Sequence, residues 1–269
     1  MNDALYIAAT GMQAHQLGVD TIANNLANVA TPGFKASRVN FQEMMYREQV
    51  MGNGLTGGLN VGGNSGAGLN YGLAQGSGVS VGMLSKLFVT GELRQTDSPL
   101  DLAIPGNGFI EVVLADGNTA YSRGGSLRVN SDGFLTTQDG SLLKPNIHVG
   151  LDAKTIKIGT DGRVMVTTGN QTVPAEVGRI EIATFTDPAG LRSLGRNLYA
   201  STERSGEAEV GRPGEDGFTV LAPGFVEASN VNLVDEMVNL MVAQRAYGMN
   251  VKVIQAADEM LGMSNNLRR

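Results

Sequence analysis

The sequence predicts an α+β fold in which N- and C-terminal α-helices pair as a coiled-coil-like domain and a β-rich hairpin domain is inserted between them. Three features of the chain lead to this prediction. Apolar residues recur every seven positions near both ends, which is the repeat of paired helices. The middle of the chain alternates short β-prone segments with Asp-Gly pairs, which favour tight hairpin turns. A glycine-rich stretch separates the first helix from this β-rich part.

The first predicted element is an N-terminal helix over residues 1–30 with a single apolar stripe. The stripe consists of Leu5, Met12, Val19 and Leu26 at intervals of seven, with Ala8, Ile22 and Val29 at the intervening heptad positions. Pro32 biases the residue before it toward an extended conformation, so the helix is predicted to end near Asn28 or Val29. The segment that follows, residues 34–45, fits either a strand or a short helix. Residues 1–45 thus form the first part of the terminal helical domain.

The next element is a glycine-rich arm over residues 46–80. Its residues 51–80 contain eleven glycines. Glycine loses more conformational entropy on folding than any other residue, so an independently packed structure is disfavoured here. The arm is predicted to be extended or flexible, with its scattered apolar side chains available to a neighbouring molecule.

Residues 81–225 are predicted to form the β-rich hairpin domain. Asp-Gly pairs, whose residue types tolerate positive φ in tight turns, occur at 116–117, 132–133, 139–140 and 161–162. The predicted strands around these turns are 100–104, 109–114, 126–130, 155–158, 164–167 and 179–184. Residues 201–217 are predicted to form a polar loop.

Residues 226–269 complete the helical domain with a C-terminal helix. Its apolar stripe consists of Leu233, Leu240, Tyr247, Ile254 and Leu261, again seven apart. The small residues Ala243 and Ala257 each lie three positions after a stripe member, where another helix can approach closely. Candidate N-cap residues for this helix are Ser229, Asn230 and Asn232.

Composition narrows the functional classes. The 269 residues carry a formal net charge of -6 without a basic block, which disfavours nucleic acid and anionic membrane surfaces as partners. The chain has no cysteine, so disulfide frameworks, thiolate metal sites and cysteine nucleophiles are excluded. No run reaches the ~20 apolar residues that a membrane span needs. The first residues lack the pattern of a cleaved secretory signal, so we expect any export to use another route.

No catalytic, cofactor-binding or metal-binding site is predicted. The two histidines, His15 and His148, do not form a metal-binding motif. A G-x-G-x-x-G match at residues 52–57 has no apolar strand before it and no helical pattern after it, which indicates coincidence. The acidic residues of the β-rich part with the strongest resemblance to catalytic carboxylates are each followed by glycine, as is typical of turns: Asp132, Asp139 and Asp161. We therefore expect no enzymatic activity.

Motifs at both ends of the chain resemble those of one protein family. Residues 23–35 read Ala-Asn-Asn-Leu-Ala-Asn-Val-Ala-Thr-Pro-Gly-Phe-Lys and are similar to the N-terminal signature of bacterial flagellar rod and hook proteins. The C-terminal signature of the same axial family resembles residues 229–233, 236–238 and 244–247. Further segments of the β-rich part that look like family segments are 100–104, 106–109, 121–125 and 133–136.

Within this family the chain is most similar to the members that build the distal rod, because residues 177–178, 185, 195 and 197–199 also match in order. The resemblance implies a structural subunit that polymerises into the helical drive shaft carrying motor torque to the hook. It implies several partners: further copies of the chain, the proximal rod and hook proteins, the peptidoglycan- and outer-membrane-ring proteins, and the flagellar type III export apparatus. The implied location is the periplasm-spanning rod of the basal body.

The predicted subunit interface combines both stripes with asparagines at the end of the first helix. It consists of Leu5, Met12, Val19, Ile22, Leu26, Asn24, Asn25, Asn28, Leu233, Leu240, Tyr247, Ile254 and Leu261. The turn of the family motif is formed by Pro32, Gly33 and Phe34. The asparagines either hydrogen-bond across subunits and fix register, or are solvated or cap the helix end.

Other interpretations remain open from the residues alone. The stripes also fit the core of a monomeric helical hairpin. A proximal rod or hook subunit is the nearest alternative function. A secreted β-rich adhesin is a more remote one, with a ligand surface formed by Tyr71, Phe88 or Tyr121.

Overall fold

The computed structural model describes residues 2–44, 46–49, 73–169, 173–215 and 217–266. This part of the chain contains an N-terminal helix α1 (Asn2–Ala27), a C-terminal helix α2 (Leu233–Asn266) and a short 3-10 helix at Pro188–Gly190. The strands are β1 Ser37–Glu43, β2 Tyr46–Gln49, β3 Leu73–Gly76, β4 Val79–Lys86, β5 Leu93–Gln95, β6 Asp101–Ala103, β7 Ile110–Val113, β8 Thr119–Ser122, β9 Gly124–Val129, β10 Leu135–Thr137, β11 Leu142–Leu143, β12 Ala153–Ile158, β13 Arg163–Thr168, β14 Ala175–Arg179, β15 Ile182–Thr184, β16 Arg192–Gly195, β17 Leu198–Ala200, β18 Glu209–Gly211, β19 Ala222–Pro223 and β20 Phe225–Glu227. The α+β class predicted from the sequence is confirmed, with helices at both ends and a β-rich middle.

The chain divides into two compact units. Unit 1 comprises Met1–Thr21, Val39–Leu84 and Val238–Arg269, and unit 2 comprises Ile22–Arg38 and Ser85–Met237. Each unit therefore contains part of both helices.

Unit 2 is built on a β-sheet with the strand order β16-β17-β8-β7-β11-β10-β9-β6-β19. A second sheet, in the order β12-β13-β14, adds inward-facing residues to the same core. In β13 the buried residues Val164 and Val166 alternate with the exposed residues Arg163 and Met165, as expected for a strand with one face on the core. The core residues that are at most 1% exposed include Leu102, Ile104, Ile110, Val112, Leu135, Leu143, Ile147, Ile180 and Ile182.

The Asp-Gly turns predicted from the sequence are confirmed. Gly117, Gly133, Gly140 and Gly162 all have positive φ, between 78° and 86°. Each pair lies in a connection between paired antiparallel strands: β7 and β8, β9 and β10, β10 and β11, and β12 and β13. The four connections set the register of the hairpins that build both sheets.

Two local predictions for the β-rich part were wrong. The strand predicted over residues 179–184 is divided between β14, which pairs with β13, and β15, which pairs with β18. The loop predicted over residues 201–217 contains β18, because Glu209–Gly211 pairs with Ile182–Thr184. Glu209 and Val210 of this short strand are both exposed, and composition alone does not distinguish an exposed polar strand from a loop.

In unit 1, α1 contacts both strand β1 and helix α2. The ring of His15 lies 6.4 Å from that of Phe41, measured between centroids. A Cβ atom on Gly11 would lie 2.9 Å from the amide nitrogen of Asn250, so glycine allows that side chain to approach the α1 backbone closely. Among the described side chains of the two helices, the buried apolar ones are Ala8, Ala14 and Ala257.

The glycine-rich arm predicted over residues 46–80 is described only at its ends. There β2 pairs with β3 in antiparallel register, from Tyr46 opposite Gly76 to Gln49 opposite Leu73. Residues 45 and 50–72 lie outside the described residues.

The helix ends follow local sequence signals. Helix α1 ends at Ala27, one residue before the predicted end, and a turn follows. Helix α2 begins at Leu233, and the Asn232 side chain accepts a hydrogen bond of 3.1 Å from the backbone N–H of Val234. Asn232 is therefore the N-cap among the three candidates.

Candidate assembly site

The family-motif turn leads into a buried cluster of three charges in unit 2. Lys35 Nζ lies 2.5 Å from Glu227 Oε1, and Arg123 Nη2 lies 3.2 Å from Glu227 Oε2. All three side chains are at most 1% exposed. We call these residues the junction triad. One carboxylate here pairs with two cations, so the cluster keeps a formal excess of one positive charge away from water.

Backbone groups complete the shell around the junction triad. Lys35 donates a hydrogen bond of 2.8 Å to the carbonyl of Val89, and the N–H of Gly91 donates one of 2.8 Å to Glu227 Oε1. Arg123 donates to the carbonyl of Gly108 over 2.7 Å. These bonds hold the segment after α1, the strand before α2 and the β-rich core at one point.

The cost of burial is visible in the ionisation of Lys35. Burial lowers the pKa of its ammonium group, and the positive charge of Arg123 acts in the same direction. The hydrogen bond to Glu227 and the charge of that carboxylate raise the pKa and offset part of the effect. Glu227 is thus the group that makes a charged Lys35 tolerable in the interior.

An aromatic cluster adjoins the triad. The Arg123 guanidinium lies 5.3 Å from the centre of the Phe109 ring, and Phe109 in turn contacts Tyr199 at a centroid distance of 6.0 Å. Tyr199 is 0% exposed, and its hydroxyl has no hydrogen-bond partner among the described residues. Burial raises the pKa of Tyr199 to about 12, from an ordinary value of 10.0.

Replacing Tyr199 by phenylalanine is expected to remove part of the loss of folding stability that unit 2 undergoes at alkaline pH. The pKa of Tyr199 is higher in the folded chain, at about 12, than in the unfolded chain, at about 10. The neutral phenol therefore contributes folding stability that is fully present below pH 10 and is lost as the pH rises toward 12. The wild-type chain should therefore lose about 2 to 3 kcal/mol more unfolding free energy than Tyr199→Phe between pH 9 and about pH 12. Urea unfolding of both proteins across this range measures the difference, in which the titration of all other groups cancels. Parallel loss in the two proteins would contradict the assignment.

Asn25 ties the end of α1 to the first strand. Its amide oxygen accepts a hydrogen bond of 2.9 Å from the N–H of Ser37, and its amide nitrogen donates one of 2.9 Å to the Ser37 carbonyl. The same nitrogen donates to Glu236 of α2 over 3.3 Å. Asn25 is 2% exposed, and these contacts within unit 2 engage both the oxygen and the nitrogen of its side-chain amide.

Asn25→Ala is expected to destabilise unit 2 by about 1 to 3 kcal/mol, because two backbone groups of the half-buried Ser37 lose the buried side chain that pairs with them. The neighbouring Asn24 is exposed and provides the matched control. Asn24→Ala should change the unfolding free energy by less than about 0.5 kcal/mol. Urea denaturation followed by circular dichroism measures both, and equal effects of the two substitutions would contradict the role given to Asn25.

The other predicted asparagines behave differently. Asn28 donates its side-chain N–H to the carbonyl of Asn24 over 2.9 Å and accepts from the Thr31 hydroxyl over 3.2 Å. It therefore satisfies groups at the end of the helix within its own chain. The contacts that Asn24, Asn25 and Asn28 make with other subunits stay a prediction.

The motif turn lies against the strand that returns to α2. Gly33 has a φ of 69°, and its N–H donates a hydrogen bond of 2.7 Å to the carbonyl of Glu227. Phe34 is buried with Ala36 and Val231, whereas Pro32 is exposed. The positive φ explains why glycine follows proline here.

Sequence reasoning missed Asn230, which was proposed only as a cap. Its side-chain amide accepts a hydrogen bond of 2.8 Å from the N–H of Ala36 and donates one of 2.7 Å to the carbonyl of Leu87. It therefore joins three chain segments of unit 2. A polar residue two positions before the cap is the only sequence signal of this role.

The predicted stripe residues differ in their solvent exposure. The half-buried ones are Leu5, Met12, Val19, Ile22, Leu26, Leu240, Ile254 and Leu261. Leu233 and Tyr247 are more open, at 47% and 40% exposure. Val19 and Tyr247 line one shallow groove of unit 1 together with Gln16 and Gln244. The stripes are thus covered only in part within one chain.

The two described residues among those suggested for an adhesin pack into one aromatic cluster of unit 2. Tyr121 is buried, and Phe88 packs against the same aromatic cluster as Tyr199. Tyr71 lies outside the described residues.

Three segments of the chain match models of known protein families. Residues 5–35 match the family model described as "Flagella basal body rod protein", residues 103–166 that of the "Flagellar hook protein FlgE/F/G D1 domain", and residues 222–267 that of the "Flagellar basal body rod FlgEFG protein C-terminal". The flagellar basal-body rod protein FlgG of Caulobacter vibrioides is 41% identical, with 98% of this chain and 99% of that protein covered.

This chain belongs to the flagellar basal-body rod protein family. The FlgG proteins of Borreliella burgdorferi and Bacillus subtilis are 40% and 37% identical over 100% and 99% of the chain, and the same shares of those proteins are covered. The rod family is a structural component of the flagellum and not an enzyme family. Each of the three matched segments of this rod protein supplies one charge of the junction triad: Lys35, Arg123 and Glu227.

No helix within the described ranges combines the length and apolar character needed to cross a bilayer. Among those residues, no three side chains of the metal-binding types lie together as a ligand set.

Proposed function

We propose that this chain is a structural subunit of the bacterial flagellar distal rod. In this role it polymerises with its own copies into the helical shaft that transmits motor torque to the hook. The single observation that carries the proposal is the similarity to FlgG rod proteins, which covers nearly the full length of this chain and of each of those proteins. A β-rich core tied to both helical ends by a buried charge cluster suits a part that bears load.

We also propose that the two heptad stripes pair as a coiled coil and form the subunit interface. Support comes from the partial cover of the stripe residues within one chain and from the close approach of Asn250 to Gly11. Apolar side chains that remain half-exposed gain free energy when a second copy covers them. Head-to-tail contacts between such surfaces repeat without closing, which generates an open helical polymer.

The domain division that we propose follows from this role. Residues 1–45 and 226–269 form the terminal helical domain, residues 46–80 an arm, and residues 81–225 the body. The body is exposed around the shaft and contacts the peptidoglycan and outer-membrane rings, while the shaft joins the proximal rod and the hook. Subunits reach this periplasm-spanning position through the flagellar type III export apparatus. The resemblance of the terminal and body motifs to the axial family supports these assignments.

Cryo-electron microscopy of isolated basal bodies tests the function directly. The cells should carry this chain as the sole copy, with a small tag inserted at the exposed Leu151 in the body. We expect density for the chain in the rod segment next to the hook, with the tag on the outer surface. Density only in the hook, or only in the rod near the inner membrane, would replace the distal assignment by one of the two related ones.

The helices are expected to order fully only on assembly. An isolated helical pair with half-covered stripes gains too little burial to offset the conformational entropy of its residues. Amide exchange in residues 2–21 and 238–266 should be fast in dilute monomer and slow in isolated rods, whereas the core strands β7 and β8 should be protected in both. Strong protection of both helices in the monomer would contradict this expectation.

A further inference from the structure

Helix α2 carries a second apolar row that the first stripe does not include. It consists of Val242, Ala246, Met249, Val253, Ala256, Met260 and Met263, with alternating spacings of four and three. This spacing places all seven on one side of the helix over about 32 Å, turned away from Leu240, Ile254 and Leu261. We call these residues the second row.

The second row is open in the single chain. Val242 and Met249 are 61% and 62% exposed, and Met260 and Met263 are 49% and 59% exposed. Single exposed apolar residues are common on protein surfaces, but a continuous row of this length marks an interaction surface. Methionine is frequent in such surfaces because its flexible thioether adapts to the partner.

Two cations border the second row. Arg245 and Lys252 are seven residues apart and exposed, and each directly precedes a member of the row. Neither has an ion-pair partner among the described residues. A partner for this surface should therefore present small or apolar side chains together with a carboxylate.

Helix α1 presents a carboxylate together with aromatic, small and amide side chains on its own exposed side. Its open row consists of Tyr6, Ala9, Gln13, Gln16 and Asp20, with alternating spacings of three and four. The chain has no Lys or Arg before Lys35, so the charge of α1 is purely acidic apart from the terminal amine and His15. Asp20 lies in the interior of the helix and likewise has no ion-pair partner among the described residues.

We infer that the second row of α2 is the surface that binds α1 of a second copy of this chain. In this contact Asp20 of the second copy lies between Arg245 and Lys252. This inference rests on the proposed function as a rod polymer and names the contact that propagates it. The two surfaces differ and lie on the same chain, so each copy offers one to the copy before it and one to the copy after it. Such a heterologous contact extends without limit.

A complementation experiment with charge reversals tests the contact. Asp20→Lys and Lys252→Asp each place like charges together, and each should weaken the contact between copies about 3- to 10-fold. Cells with either variant as sole copy should swim poorly. Cells that express both should swim, because opposite charges face each other again when the two variants alternate along the polymer. The lysine introduced by Asp20→Lys then meets the aspartate introduced by Lys252→Asp, and the unaltered Asp20 meets the unaltered Lys252.

Several outcomes are distinguished by this design. Impaired swimming that co-expression does not restore would overturn the contact between copies, as would normal swimming of either single variant. Glu203→Lys, which reverses an exposed charge of unit 2, is the matched control and should swim normally. If the unaltered chain is absent from isolated rods, the proposed function fails. If it is present and complementation fails, only this contact is wrong.

Discussion

Replacing Glu227 by glutamine is expected to destabilise unit 2 by about 3 to 5 kcal/mol, because the substitution leaves two buried cations without a counter-charge. Glutamine keeps the size of the side chain, so the loss reports on charge and not on a cavity. Lys35 and Arg123 cannot move to water without breaking their hydrogen bonds to Val89 and Gly108. A destabilisation of this size is a large fraction of the total stability of a typical domain.

Urea unfolding at pH 7 measures the effect of Glu227→Gln. The matched control is Glu215→Gln, which removes an ion pair with Arg212 whose two side chains are 58% and 60% exposed. Exposed pairs contribute about 0 to 1 kcal/mol, so the control should unfold almost as the wild type does. A loss below about 1 kcal/mol for Glu227→Gln would mean that water or a neighbouring group neutralises the triad.

The triad also explains how this rod protein holds its three matched segments together. A polymer of such subunits transmits force from the helices to the body only if the connection between them is rigid. Lys35 follows α1, Glu227 precedes α2, and Arg123 lies between β8 and β9 of the large sheet. Since a single carboxylate engages both cations, loss of Glu227 loosens both connections at once.

Much of the fold could be predicted from local patterns. The Asp-Gly turns were found because only a few residue types tolerate positive φ, and this requirement is independent of the tertiary structure. Helix α1 ended near its predicted position because Pro32 acts on the residue before it. Strands such as β13 were found because their residue types favour strands and turn residues flank them, which are also local features of the sequence.

Other features depend on contacts between distant residues and could not be predicted. Lys35, Arg123 and Glu227 lie far apart in the sequence, and each has the appearance of an ordinary surface charge. Only the fold shows that they meet. Asn230 was assigned to the helix cap because its local context resembles one, whereas its partners Ala36 and Leu87 belong to other segments. The second row of α2 was missed because a helix that is apolar on several sides gives no single preferred face.

Ala257→Glu is expected to abolish swimming. Ala257 is 3% exposed within unit 1, so a carboxylate at this position must either lose its water or displace the segment that covers α2. A cost of about 3 kcal/mol lowers the proportion of correctly packed unit 1 more than 100-fold, and assembly depends on that packing. Glutamate is a good helix former, so the helix itself should persist. The effect is therefore expected on packing and assembly.

Gln255→Glu adds the same charge two residues earlier on an exposed position of the same helix. Soft-agar swimming and the yield of rods in isolated basal bodies should fall to background for Ala257→Glu and stay near wild type for Gln255→Glu. Urea unfolding of unit 2 should be unchanged in both, because Ala257 belongs to unit 1. Normal swimming with Ala257→Glu would show that this face of α2 is not packed in the rod. The close packing that Ala257 has in the single chain would then not be needed for assembly.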